Sequence, residues 1–282
     1  MFIEWIFLFI ALFWLSIASI CDLKTREVPN WISYSLISLG LGLRFLYSLS
    51  VLNFSFFLSG LFGFLVFFLL GILLYYSKQW GGADSKVLMG IGAVFGWSSS
   101  LFNTEEWPFP LVFFLHLLVI GSFYGLTWGL IIGLRERKKV MRSFQKIVWW
   151  EHLLVLSSFV IIFLFFSFLD RSFVIFGFLL ALVLPFLFYL LRFFRAIEKS
   201  LLYKKIPVSE LVEGDWLAAD VFCNGKVLCS SKSLGVSKKD ILQLQKYKIK
   251  DVIIKEGIAF VPCFPLALVL SLYVGNLFYL FL

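Results

Sequence analysis

A chain of 282 residues in which 61% are hydrophobic, 20% are aromatic and 36 are phenylalanine has too little polar surface to cover a soluble core, so the composition is that of a polytopic membrane protein. A net charge of +8 would suggest nucleic acid in a soluble protein. Here Lys and Arg gather between apolar runs, so the charge reports membrane orientation and no nucleic-acid partner is expected.

The first apolar run, residues 2–20, lacks a basic leading region and a small-x-small cleavage site, and reads as a retained span. Further spans are expected at 31–50, 53–76, 86–100, 111–134, 147–169, 172–192 and 260–281, each near the ~20 residues a bilayer needs. The fourth is short and carries Gly90, Gly92 and Gly96. Lys24 and Arg26 follow the first span, Lys78 and Lys86 flank the loop after the third, and Arg135–Lys146 and Arg192–Lys205 supply the basic runs after the fifth and seventh. Glu105, Glu106 and the Asp170-Arg171 turn fall on the other side. The positive-inside rule then places both chain ends outside and the basic loops in the cytoplasm, where they meet anionic membrane lipids. Arg44, inside the second span, is expected to snorkel outward.

Residues 200–258 are polar. Trp216–Phe222 and Lys226–Ser231 flank Asn224-Gly225, a hairpin signal because both turn positions need positive φ. Ser237 and Asp240 form a capping-box pattern ahead of an apolar run, and Asp251–Lys255 reads as a strand. The expected fold is an all-α polytopic membrane protein of about eight transmembrane helices with a small cytoplasmic α+β insert before the last. The expected divisions are a membrane core at 1–134, a basic loop and helix pair at 135–199, the insert at 200–258 and a last helix at 259–282. The four cysteines, Cys21, Cys223, Cys229 and Cys263, show no C-x-x-C spacing, so neither a zinc site nor a disulfide framework is expected. Cys223 and Cys229 should be reachable from the cytoplasm.

Two aspartates stand at the cytoplasmic edge. Asp22 lies in Ile-Cys-Asp22-Leu-Lys-Thr-Arg26-Glu-Val-Pro29-Asn30, and Asp84 in Trp80-Gly81-Gly82-Ala83-Asp84-Ser85-Lys86. Taken alone, Asp22 reads as a solvated residue beyond a span and Asp84 as the N-cap of the next helix. Two carboxyls that meet in space, however, share a proton and can activate water. Glycine at 81 and 82 leaves room for an extended substrate backbone beside Asp84. His116 reads as a packing residue within its span, Glu151-His152 as an interfacial anchor, and Lys86 as a marker of the inner face. Cys21 lacks the partners of a cysteine nucleophile.

The combination resembles the type IV prepilin peptidases, and more closely the archaeal preflagellin and prepilin peptidases among the GxGD aspartyl proteases. The resemblance rests on Asp22 with Arg26-Glu-Val-Pro-Asn30, on Gly81-Gly82-Ala83-Asp84-Ser-Lys86, and on Gly257-Ile-Ala-Phe-Val-Pro262 entering the last span. Ala83 stands where the pattern has glycine. The resemblance covers residues 1–134 and 200–282, leaving the spans near 147–192 as an insertion. It implies a membrane aspartic endopeptidase with Asp22 and Asp84 catalytic, with Gly81, Gly82 and Ala83 lining the substrate, and with no metal or cofactor. Its partners would be pilin-like or archaellin-like precursors with short basic leaders, cut at the cytoplasmic face of the plasma membrane. The cysteine-rich methylase region of bacterial relatives has no counterpart, which implies cleavage without methylation. Either aspartate can begin as the protonated member. A presenilin-type intramembrane protease would want its first aspartate within a span, and an ion-coupled transporter would want mid-bilayer carboxyls and broken helices in paired repeats. The sequence shows neither pattern.

Overall fold

The structure, a computed structural model, describes residues 2–98, 107–144, 149–169, 173–198, 202–223, 226–231 and 233–274. Glu105, Glu106, the Asp170-Arg171 turn, the Asn224-Gly225 turn, Lys146 and Lys199 lie outside the described residues. The helices are α1 (Phe2–Thr25), α2 (Asn30–Ser50), α3 (Ser55–Tyr76), α4 (Gly82–Phe95), α5 (Phe109–Arg135), α6 (Arg137–Phe144), α7 (Trp149–Leu169), α8 (Val174–Ile197), α9 (Lys238–Lys246) and α10 (Cys263–Val274). Five short strands are β1 (Tyr203–Pro207), β2 (Trp216–Leu217), β3 (Val221–Cys223), β4 (Lys226–Cys229) and β5 (Asp251–Lys255).

Six described helices are long and apolar enough to cross a membrane: α1, α2, α3, α5, α7 and α8. The other two expected spans differ. The fourth is α4, whose 14 residues rise about 21 Å against a hydrocarbon core of about 30 Å. The eighth is α10, a shorter apolar helix over its described residues.

The chain divides into two compact units, Met1–Leu126 with Gly257–Leu282, and Thr127–Glu256. In the first, α4 is the buried element, and every residue from Gly90 to Phe95 is inaccessible. Small residues let neighbouring backbones approach it. A Cβ on Gly63 of α3 would stand 2.6 Å from the Gly92 carbonyl oxygen, so α3 and α4 touch through glycine, as close-packed membrane helices do. Phe7, Leu15, Phe67, Phe113 and Phe264 fill the space around it.

Arg44 does not snorkel; it is completely buried. Its Nε donates to the Val94 carbonyl at 2.9 Å and its Nη2 to that of Phe95, while Nη1 donates to Phe56 at 2.8 Å. The guanidinium lies 4.3 Å from the Phe56 ring centroid. The last carbonyls of a helix have no partner within it and carry partial negative charge. Arg44 supplies donors where α4 ends inside the packed core. Gly96 closes that end with φ +64, and a Cβ there would fall 2.7 Å from Arg44 Cζ.

In the second unit α7 and α8 pair antiparallel, with Arg192 ion-paired to Glu151 and His152 Nδ1 hydrogen-bonded to the Tyr189 hydroxyl at 2.8 Å. The Glu151-His152 anchor is thus a tie between these helices. The insert carries a three-stranded antiparallel sheet ordered β1-β5-β2, with Ile206 facing Val252 and Leu217 facing Ile254. The expected hairpin is smaller than its sequence signal. β3 pairs with β4, but β2 leaves to join β5. Asp220 ends the pairing, because its carboxylate accepts from the Ser231 N–H at 2.6 Å, a side-chain bond in place of a ladder bond. Cys229 packs into the insert core at 6% exposure, while Cys223 is half-buried. Cys229 is therefore not the reachable thiol expected.

The capping box forms as read. Ser237 Oγ accepts from the Asp240 N–H at 3.2 Å, and Asp240 Oδ2 accepts from the Ser237 N–H at 2.9 Å. Ser237→Ala is expected to destabilise α9 by about 1 kcal/mol. Hydrogen exchange of the α9 amides should accelerate about fivefold, since 1 kcal/mol is roughly that factor; unchanged rates would deny the cap an energetic role.

Candidate active site

Asp22 sits in the last turn of α1, three positions before that helix ends. Arg26, just beyond, adopts φ +60 and returns its N–H to the Asp22 carbonyl at 2.9 Å, the left-handed turn that commonly terminates helices. The Asp22 side chain is 6% exposed. Its Oδ2 accepts from the Val261 N–H at 2.9 Å. The donor belongs to the Gly257–Pro262 segment, whose turn leads into α10 through Cys263 N–H to Phe260 O. Unpaired amides at a helix start favour an anion. Arg26 Nη1 also donates to the Gly257 carbonyl at 3.3 Å, pinning the other end of this segment.

Asp84 lies in the first turn of α4. The N-cap is Gly81 rather than Asp84, and Asp84 Oδ2 reaches back to accept the Gly81 N–H at 3.1 Å. Glycine has no side chain to return a bond, so this is half of a capping box. A Cβ on Gly81 would sit 3.1 Å from the same oxygen, so glycine here keeps the carboxylate uncrowded. Position 82 faces Tyr75, with room for a Cβ at 3.5 Å. Ala83 packs its methyl against the cluster of Ala18, Val28, Ile32 and Val261, which joins the elements carrying Asp22 to the start of α4.

The two carboxyls fall within each other's field. Burial first, and the Asp22 charge second, push the Asp84 carboxyl up to about 7, against the Gly81 hydrogen bond that favours its ionised form. The Cys263 thiol lies within the field of both aspartates. Trp80, next to Gly81, packs 5.3 Å from Phe260 and 6.0 Å from Phe264, ring centre to ring centre. His116 is fully buried, with Nδ1 bonded to the Val112 carbonyl at 2.8 Å. Among the described residues, no group of three or more His, Cys, Asp or Glu is placed to hold a metal ion.

A raised carboxyl ties stability to pH. The folded protein holds the Asp84 proton more tightly than the unfolded chain, so the stabilisation is complete below the ordinary value of 3.8 and is lost as pH rises through about 7. Thermal midpoints of the detergent-solubilised protein should fall across that window, and Asp84→Asn should flatten the slope. An identical slope in the variant would remove Asp84 as its cause.

The Gly257–Pro262 segment stood out in the sequence, but nothing local indicated that its amide grips a carboxylate 239 positions earlier. Lys86 does more than mark a membrane face, because its Nζ donates to Asn30 Oδ1 at 2.6 Å and lies 5.6 Å from the Tyr34 ring centroid.

Comparison with known proteins finds similarity over the part of the chain that carries both aspartates. Residues 9–130 match the profile of the type IV leader peptidase family, and the resemblance read from the two aspartate motifs holds over that segment. The chain is 34% identical over 141 residues to the preflagellin peptidase of Methanococcus voltae, covering 46% of this chain and 60% of that protein. It is 30% identical over 135 residues to the preflagellin peptidase of Methanococcus maripaludis, covering 44% and 58%. The match to the preflagellin peptidase of Methanocaldococcus jannaschii is 29% over 127 residues, covering 43% and 54%. The chain thus spans no more than 60% of the length of these curated relatives.

Proposed function

We propose that this protein is a membrane-embedded aspartic endopeptidase that removes short basic leaders from pilin-like or archaellin-like precursors at the cytoplasmic membrane face. Asp22 and Asp84 are its catalytic pair, and Gly81, Gly82 and Ala83 flank the substrate backbone. The observation that carries this reading is that Asp22 and Asp84, from separate motifs, lie in one buried electrostatic field that holds the Asp84 proton to about neutral pH. The similarity to preflagellin peptidases supports the substrate class.

In this mechanism the ionised carboxylate takes a proton from water as its oxygen attacks the scissile carbonyl. The protonated carboxyl gives its proton to the carbonyl oxygen, forming a neutral gem-diol. Collapse breaks the C–N bond. The nitrogen takes the proton held by the first carboxyl, and a diol hydroxyl returns one to the second. Glycine at 81 keeps the Asp84 oxygen accessible, and the Val261 amide orients that of Asp22.

Co-expression with leader-bearing precursors from the same genome tests the reading by mass. Loss of the leader supports it. An intact leader on every candidate precursor, with the protease inserted, overturns it.

The cytoplasmic orientation has its own test. An impermeant maleimide should label Cys223 only after cell lysis, while Cys229 stays protected by the insert core until the protein is denatured. Labelling of Cys223 on intact cells would invert the topology and place the aspartates away from a precursor awaiting export.

A further inference from the structure

Asn30 and Lys86 close the two aspartate motifs, and the structure joins them directly. Lys86 Nζ donates to Asn30 Oδ1 at 2.6 Å, and the ammonium lies over Tyr34 one turn further along α2. Asn30 is the first residue of α2 and follows Asp22 by eight positions; Lys86 follows Asp84 by two. The remaining contacts between α2 and α4 run in step. Leu36 packs where a Cβ on Gly90 would sit, Gly40 approaches Val94, and Arg44 binds the carbonyls of Val94 and Phe95. The helices therefore lie parallel, held by Arg44 at one end and by the Asn30–Lys86 bond at the other. Parallel helices fixed at one end can still shift at the other, where Asp84 opens α4, Asp22 closes α1 just before α2, and Ala83 packs against Ile32.

We infer that the Asn30–Lys86 hydrogen bond is a positioning brace that sets the separation of Asp22 and Asp84. The inference rests on the endopeptidase reading for its consequence in turnover, though not for the brace itself. The link from Asp22 through the Arg26 turn and Pro29 to Asn30, across the bond to Lys86 and back to Asp84, is a short closed circuit. Its turn is stiffened by Arg26 at φ +60 and by Pro29 at φ −52. The bond is exposed, so its net worth in stability is small. Its effect falls on geometry, where a displacement of about 1 Å can cost a hundredfold in rate. The charged and titratable groups facing the pair are Arg26 beside Asp22, Cys263 from α10 and Tyr124 from α5.

The test uses the purified full chain and a pilin-like precursor with a basic leader. Asn30→Ala and Lys86→Met are each expected to lower kcat about tenfold or more, with KM within about twofold, because the lost interaction orients catalytic groups without holding substrate. The double variant should be no worse than the poorer single one, since both remove the same bond. Lys86→Arg should retain most of the rate. A second measurement needs no substrate. The titration midpoint of Asp84, followed by its carboxyl infrared absorption, should fall below about 7 in Asn30→Ala, a change that adds no charge and weakens the repulsion from Asp22. Losses that multiply, a rise in KM alone, or an unchanged kcat with an unchanged midpoint would each overturn the brace. A midpoint that falls in a protein whose wild type cleaves no precursor would support the brace and defeat the endopeptidase reading instead.

Discussion

Asp84→Asn and Asp22→Asn are each expected to lower leader cleavage by about three orders of magnitude, the middle of the range for removing a positioned acid or base. Asparagine preserves shape at both sites. At 84 its amide oxygen can still accept the Gly81 N–H, and at 22 it can still accept from Val261. Insertion and thermal stability should therefore survive near neutral pH, and the loss should sit in kcat. An amide cannot cycle a proton, so either replacement disables the pair. The double variant should be no slower than the single ones, because groups that act as a unit fail as a unit. Single-turnover cleavage of a precursor, read by mass, decides the matter. Turnover within tenfold of wild type for either variant would remove that aspartate from the chemistry.

Arg44→Ala should be the most damaging change away from the aspartates. It removes a fully buried guanidinium and strips donors from the carbonyls of Val94, Phe95 and Phe56. Each lost hydrogen bond from a charged donor is worth about 1.5–3 kcal/mol, and the space beside Phe7 and Phe56 adds a cavity term. A total of about 4 kcal/mol is the expected loss, in line with breaking a buried charged network. Lysine should recover less than half, since one ammonium cannot span carbonyls on two helices as a planar fork does. Denaturation in mixed micelles measures this. A lysine variant as stable as wild type would show that charge alone suffices.

The sequence was informative wherever the signal was local. The six long apolar helices, the Ser237–Asp240 cap and β5 are short-range patterns, and the structure carries them. It was less informative wherever a group's partner was distant. Hydropathy sends Arg44 to the interface, because the reading has no knowledge that α4 ends beside it. The same reading places the short fourth span at 86–100, whereas α4 runs from Gly82 to Phe95, because the close approach of α3 at Gly92 is not visible in the sequence. Cys229 looked reachable because strand residues alternate in exposure and the register was unknown. The grip of Val261 on Asp22 joins positions near opposite ends of the chain, a pairing that periodicity does not encode.

Arg44 and Gly96 also constrain how this core can change over generations. A side chain at 96 would collide with the guanidinium and would require an L residue at φ +64, while loss of the arginine removes its hydrogen bonds to the Val94 and Phe95 carbonyls. Neither position can drift alone. Lineages that keep one should keep both, and a lineage that abandons the pair must lengthen α4 or recruit a new donor in the same step. When sequences of relatives are set side by side, substitutions at 44 and 96 should occur together, with intermediates scarce, even though neither residue touches the aspartates.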